Sequence, residues 1–238
     1  GEKELGIPAK NLIINPTHTH SAFGGGNAEQ VFNVIKAAAD KLQPARIGYG
    51  TGVSYLNVQR DIIDPKTHKW WEGANYDGPS DKTVAVIKFE TTKGEPIAVY
   101  FNYACHAVVT GNTDMLSGDW PGEAERYIED SFDDQCVALY SAGAQGDQNP
   151  IYFQQTFDLR EIRIKDYAAR GQDISNSMPG GGQGLNKQDP KVKKLLDQQK
   201  MMIKSMGQMM GEEVKRVMRL MDPDHMSQGG KIAAAQKV

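Results

Sequence analysis

The sequence predicts an α/β domain layered around a mixed β-sheet with flanking helices. Short apolar runs end near residues 17, 49, 104 and 141, as expected for buried strands. Helical periodicity over 28–42 and 121–132 falls between these runs. A Lys93-Gly94 turn joins two adjacent runs, which predicts a hairpin over 83–103 as the antiparallel part of the sheet.

In the amino-terminal part, the predicted elements alternate between strand and helix. Residues 11–15 form an apolar run closed by Pro16, which favours a strand. A helix over 28–42 follows, and Pro44 ends it. Residues 46–49 predict a second strand, after which a turn at 50–52 leads into an irregular segment that carries Arg60.

After the hairpin, Asp119 could cap a helix that runs over 121–132. Residues 136–140 predict a strand that ends in a glycine-rich turn over 141–150. Several strands thus end in loops with chemically capable residues. Binding sites in open α/β sheets lie outside the carboxyl ends of the strands, so this edge is where we expect the functional site.

The character of the chain changes beyond Pro150. We interpret 1–150 as the core that carries the site, 151–189 as an irregular insertion and linker, and 222–238 as a frayed tail. A stripe of Leu and Met over 190–221 predicts a long helix that packs on the core. Gly207 and Gly211 on this helix indicate close helix packing, because the neighbouring lysines are incompatible with a lipid setting.

Composition excludes several classes of function. The chain has 238 residues, and its 27 Lys and Arg against 30 Asp and Glu give a net charge of -3, so nucleic acid is not an expected partner. The apolar runs are far shorter than the roughly 20 residues of a membrane-spanning helix. Cys105 and Cys136 cannot form a disulfide framework. The chain starts at Gly1 without a visible signal peptide, which leaves its location open.

Three histidines mark a candidate metal site, in which one imidazole of the His18 and His20 pair could bind a metal while the other faces the same cavity. If the backbone is extended there, His18 and His20 point to the same side of the chain, and His106 ends another predicted strand. Zinc takes neutral imidazoles as ligands, so His18 and His106 could supply two of the three or four that it needs. The alternative is a surface pair of loop histidines and a structural His106 with a hydrogen-bonded ring.

Four other residues carry alternative interpretations. Cys105 is more consistent with core packing than with a nucleophile, because it and His106 face opposite ways on one strand. Asp119 and Asp147 are each either a helix-cap or turn residue or a carboxylate that orients a ligand histidine. Arg60 is either a surface arginine or the positive charge that receives an anionic substrate group.

Five segments, at 17–21, 57–60, 102–106, 117–122 and 142–150, together resemble the neutral ceramidase family and the bacterial proteins that share its amino-terminal domain. The resemblance implies that His18 and His106 bind a catalytic zinc ion. It places His20 and Arg60 near the substrate amide or the product carboxylate. It also implies a small-molecule or lipid-like amide substrate, as in sphingolipid metabolism, and a secreted or periplasmic location.

Two departures from the family pattern shape the functional hypothesis. Asn149 stands where ceramidases carry a serine regarded as the nucleophile, and the family's glutamate and tyrosine ligands have no counterpart here. We therefore expect zinc-activated water to cleave an amide or ester bond, with His20 and Arg60 stabilising the oxyanion. The alternative is a non-catalytic domain for ligand binding or assembly. Two ligands imply weak zinc binding unless Asp119, Asp147, another chain or a further segment completes the site.

Overall fold

The computed structural model of the chain describes residues 2–21, 26–175 and 181–229. Seven strands and five α-helices lie within these ranges. The strands are β1 (Ala45–Val53), β2 (Asn57–Ile63), β3 (Trp70–Asn75), β4 (Thr83–Thr91), β5 (Pro96–Tyr103), β6 (Val137–Ala142) and β7 (Gln148–Pro150). The helices are α1 (Glu2–Leu5), α2 (Ala28–Ala39), α3 (Asp119–Asp130), α4 (Gln154–Ala169) and α5 (Pro190–Leu220).

The main sheet has four strands in the order β1-β4-β5-β6. The β1–β4 and β4–β5 pairs are antiparallel, whereas β5 and β6 run parallel. The chain crosses from β5 to β6 through α3, as a parallel pair requires. The predicted α/β class, the mixed sheet and the hairpin over 83–103 are confirmed.

One face of the main sheet forms the core with α3 and α5. Alternate residues of the central strands point into it, among them Val86 and Phe101, which are fully buried. Trp120 from α3 and Met206 and Met210 from α5 fill the same cluster. Each large apolar side chain buried in this way contributes about 1.5–3 kcal/mol. The methionine stripe is therefore core, as the sequence predicts.

Glycines let α5 approach its neighbours closely. A Cβ on Gly207 would lie 2.9 Å from the backbone nitrogen of Ala124 in α3, and one on Gly50 would lie 3.0 Å from Cγ1 of Val217. The prediction of a turn at 50–52 is wrong, because β1 continues to Val53. Its glycines are strand residues that make room for the helix.

A second, smaller sheet holds three antiparallel strands in the order β3-β2-β7. The segment that carries Arg60, predicted to be irregular, is its central strand β2. The register of β2 against β3 shifts between Gln59 and Asp61, so Arg60 lies at a β-bulge. Bulges redirect side chains and are frequent beside functional sites.

The predicted strand at 11–15 is wrong. This segment follows a short 3₁₀ turn and is not paired with any strand in the described part of the chain. Ile13 and Ile14 are 59% and 68% exposed. The run has the composition of a buried strand, but among the described residues no sheet edge pairs with it.

The interpretation of 151–189 as irregular is also wrong in part, because α4 occupies Gln154–Ala169. Only a few residues of α4, such as Leu159, are buried. The sequence therefore lacks the regular spacing of apolar residues that would predict a helix. The tail is ordered as far as described: Met226 joins the core and Ser227 pairs with Ile47. The predicted tail residues 230–238 and part of the predicted linker, 176–180, lie outside the described residues.

None of the helices in the described ranges is long and apolar enough to cross a membrane. Cys105 and Cys136 are both buried as free thiols. Packing, not a disulfide or a nucleophilic pair, accounts for Cys105, as the sequence favours.

The α3–α5 contact yields a stability prediction. Gly207→Ala should lower the free energy of unfolding by about 1–3 kcal/mol, because its Cβ collides with the α3 backbone. Helix propensity alone would raise stability by about 1 kcal/mol. Urea titrations of this variant and of Ser205→Ala, an exposed α5 control, separate the two effects. A Gly207→Ala protein at least as stable as the wild type would contradict the close contact.

Candidate metal centre

His18, His20 and His106 come together in the structure. One ring nitrogen from each lies within 4.8 Å of the others. The Nε2 atoms of His18 and His20 are 3.1 Å apart, and the rings of His18 and His106 have centroids 4.9 Å apart. Among the described residues, this is the one group of three or more His, Cys, Asp or Glu side chains with the spacing of a metal site.

The loop that carries the first two histidines is held against the loop after β5. The backbone N–H of His20 donates to the carbonyl of Ala107 at 3.1 Å, and Thr19 Oγ1 donates to the carbonyl of Ser117. His18 has a φ of 56°, a left-handed conformation that strains a residue with a side chain. The histidines thus meet through a strained loop and not through the extended strand that the sequence predicts.

His106 is held by the residue that begins β7. Its backbone N–H donates to the carbonyl of Gln148 at 2.9 Å, and its Nδ1 lies 3.1 Å from the same oxygen. A carbonyl only accepts hydrogen bonds, so Nδ1 carries the proton and Nε2 keeps a lone pair. Trp120 Nε1 donates to the carbonyl of His106 at 2.9 Å. A ring tied in this way is typical of metal-binding histidines.

Burial keeps two of the rings neutral. It lowers the pKa of His106 to about 4, with a smaller contribution from the charge of Arg60. The pKa of His20 is also lowered, first by burial and then by the charges of His18 and Arg60. Metal ions bind neutral imidazole, so both rings are in the ligand form at neutral pH.

Residues 147–149 connect the histidines to the smaller sheet. The carbonyl of Asp147 accepts the backbone N–H of Arg60 at 2.8 Å, next to the Gln148 carbonyl that holds His106. The Nδ2 of Asn149 donates to Oε1 of Glu72 at 2.6 Å, and Arg60 Nη1 lies 3.5 Å from the same oxygen. Arg60 and Asn149 are therefore joined through Glu72, beside the histidine group.

The two candidate acids do not join the histidines. Asp119 accepts hydrogen bonds from the N–H and hydroxyl of Thr110 and from the N–H of Trp120. It is neither the predicted cap, since Gly118 precedes the helix, nor a partner of a histidine ring. Burial raises its pKa. Asp147 accepts from the side chain of Gln148. The geometry offers three imidazoles where the resemblance implies two.

The sequence gives little sign of the supporting residues. Gln148 acts through its backbone carbonyl, which any residue provides. Glu72 follows two tryptophans in β3, and an acid on so apolar a strand is the one signal that could have drawn attention to it. The roles of Trp120 and Thr110 depend on tertiary contacts, and no motif indicates them.

A small cavity of about 240 Å³ borders His20. Two buried atoms of its lining residues, Thr113 Oγ1 and Gln183 Oε1, have no hydrogen-bond partner in the described part of the chain. The cavity is lined by His20, Ser21, Asn112, Thr113, Asp114, Met115 and Gln183.

These features define an α/β domain with a three-histidine candidate metal centre beside an arginine. No family model matches the chain. It is 25% identical over 169 residues to neutral ceramidase B of Dictyostelium discoideum, covering 59% of this chain and 24% of that protein. It is 29% identical over 144 residues to the neutral ceramidase of Drosophila pseudoobscura pseudoobscura, covering 51% and 20%.

The same family is found by fold. The solved structure of the neutral ceramidase from Pseudomonas aeruginosa aligns with 96% of this chain and 34% of its own, with a TM-score of 0.58 and 18% identity. A ceramidase complexed with C2 gives a TM-score of 0.59 at 19% identity, over 96% and 33%. The homologues of this chain in sequence and fold are thus neutral ceramidases. The chain spans about a quarter of the length of the curated relatives, which fits an amino-terminal domain.

The lowered pKa of His106 predicts how stability depends on pH. Its unfolded-state pKa is near 6.5 and its folded-state pKa about 4, so the unfolded chain takes up a proton first as the pH falls. Its contribution to stability is present above pH 6.5 and is lost between 6.5 and about 4. In metal-free protein, His106→Gln should reduce the slope of unfolding free energy against pH. The expected reduction is at most the contribution of about one bound proton.

Urea unfolding between pH 7 and 4.5, with a chelator present, measures this slope. His68→Gln, at an exposed histidine in the β2–β3 turn, is the control and should retain the wild-type slope. A His106→Gln protein with the full wild-type slope would show that burial of this ring does not cause the dependence of stability on pH.

Proposed function

We propose that the chain is a zinc-dependent hydrolase of the ceramidase type that cleaves an N-acyl amide bond. The observation that carries this proposal is the group of three imidazoles, with Nδ1 of His106 directed at the Gln148 carbonyl. The relation to neutral ceramidases supports hydrolysis as the reaction class. Since the chain spans a quarter of those relatives, its own activity and substrate belong to the proposal.

The residues present fit zinc. Zinc binds neutral imidazole nitrogen, and catalytic zinc sites commonly keep three protein ligands and one open position. His18, His20 and His106 provide such a set, and two of the rings are neutral by burial. Bound zinc would supply a Lewis acid that polarises a carbonyl and lowers the pKa of water toward about 7.

The protein's own groups then have separate tasks. The charge of Arg60 acts on both His20 and His106, and its guanidinium is suited to donate to the carbonyl oxygen of the substrate as charge develops there. If the Nε2 of His20 holds the metal, that nitrogen cannot also donate to the oxyanion, and the task falls to Arg60. The amide of Asn149 is bound to Glu72 and is no nucleophile, which favours attack by water.

An assay on the full 238-residue chain tests this function. Loaded with zinc, the chain should hydrolyse a fluorogenic N-acyl amide, lose this activity on chelation and regain it when zinc is restored. His106→Ala should lower the rate at least about 100-fold, because a metal supplies several kcal/mol of transition-state stabilisation. His68→Ala, outside the group, should keep the wild-type rate.

A fluorogenic ester in parallel separates the two bond types. Zinc-loaded chain that hydrolyses neither compound would refute the proposal and favour the non-catalytic domain. Hydrolysis that persists fully in His106→Ala would place the active site elsewhere.

A further inference from the structure

Glu72 contacts both Arg60 and Asn149 in the smaller sheet. Its Oε1 accepts from Asn149 Nδ2 and lies 3.5 Å from Arg60 Nη1. The Glu72 side chain is 9% exposed and the Arg60 side chain 27%. The carboxylate is thus enclosed, while part of the guanidinium remains open to solvent and ligand.

Arg60 keeps hydrogen-bonding capacity for a ligand. Its Nη1 contact with Glu72 is long, at 3.5 Å, and 27% of its side chain is exposed. The bulge between Gln59 and Asp61 sets the direction of its side chain. Its charge acts on His20 and His106, so the guanidinium is electrostatically part of the same site.

An enclosed acid beside an arginine changes which ligands the arginine prefers. An isolated guanidinium binds a carboxylate strongly, often through two hydrogen bonds. A fixed carboxylate a few ångströms away repels a second anion, and this repulsion is strong where water is excluded. A neutral carbonyl oxygen is repelled far less and still accepts a hydrogen bond from Arg60.

We propose that Glu72 is a specificity-determining residue that positions Arg60 and offsets its charge, so that the site prefers a neutral amide carbonyl to a carboxylate. The identity of these ligands rests on the proposed function, since amide hydrolysis converts a neutral carbonyl into a carboxylate. The pair of Arg60 and Glu72 would then bind the uncleaved substrate and favour release of the acid product.

Binding measurements test this inference without requiring turnover. Octanoate and octanamide are titrated calorimetrically into the full chain, with metal removed so that the carboxylate cannot bind a metal ion. Glu72→Gln should bind octanoate about tenfold more tightly than the wild type and octanamide within about twofold. Glu72→Asp, which withdraws the acid by one methylene, should give a smaller gain of about threefold.

Two controls test whether the gain in octanoate affinity comes from Glu72 acting through Arg60. The gain in octanoate affinity should vanish when Arg60→Gln is added to Glu72→Gln. Glu90→Gln, at a buried acid paired with Arg46 and Lys88 on the main sheet, should leave both affinities unchanged.

Equal or weaker octanoate binding by Glu72→Gln and Glu72→Asp would overturn the inference, as would a gain that persists without Arg60. The outcome is independent of catalysis. A chain that hydrolyses amides but shows no switch in binding refutes only the role of Glu72. A chain that shows the switch but hydrolyses nothing refutes only the proposed function.

Discussion

The candidate site depends on one backbone carbonyl, that of Gln148. It accepts both the backbone N–H and the ring Nδ1–H of His106, which fixes the position of this residue and the nitrogen that keeps its lone pair. The adjoining carbonyl of Asp147 holds Arg60, and the adjoining side chain of Asn149 holds Glu72. Three consecutive residues thus set the relative placement of a candidate metal ligand, a cation and an acid.

The fold brings this tripeptide to the histidines by joining two sheets. β5 and β6 end side by side, and the chain after β6 turns back to pair with β2 as β7. The turn requires close approach, because a Cβ on Gly143 would lie 3.1 Å from the backbone nitrogen of Ala104. Behind the site, Trp120 ties the His106 carbonyl to α3, and α5 supports α3 through its glycine contact. The long helix therefore supports the site through α3.

Much of the fold was predictable from the sequence, because hydrophobic periodicity depends on local sequence alone. The hairpin over 83–103 has two apolar runs joined by a short turn, and the helix from Pro190 has a clear cap and an apolar stripe. The pattern failed where the outcome depends on a distant partner. Residues 11–15 have strand composition but pair with no strand that the structure describes. The glycines of β1 are typical of a turn, and only the packing of α5 against them shows why they lie in a strand.

In the site, too, residue types could be predicted from the sequence, but contacts between distant residues could not. His18, His20, His106 and Arg60 were predictable as residue types that bind metals and anions, and the structure places them together. The role of Gln148 was not, because a main-chain carbonyl leaves no mark in a sequence. Nor was the loop that joins His18 and His20: period-two alternation places the two rings side by side only in a strand, whereas a strained loop achieves the contact.

X-ray absorption of the zinc-loaded chain tests most directly the claim that three histidines form one metal centre. If all three rings hold the zinc, the spectrum should show three imidazole nitrogens at about 2.0–2.1 Å, falling to two in His20→Ala. A wild-type spectrum with two imidazoles that is unchanged in His20→Ala would contradict the claim, as would a chain that binds no zinc.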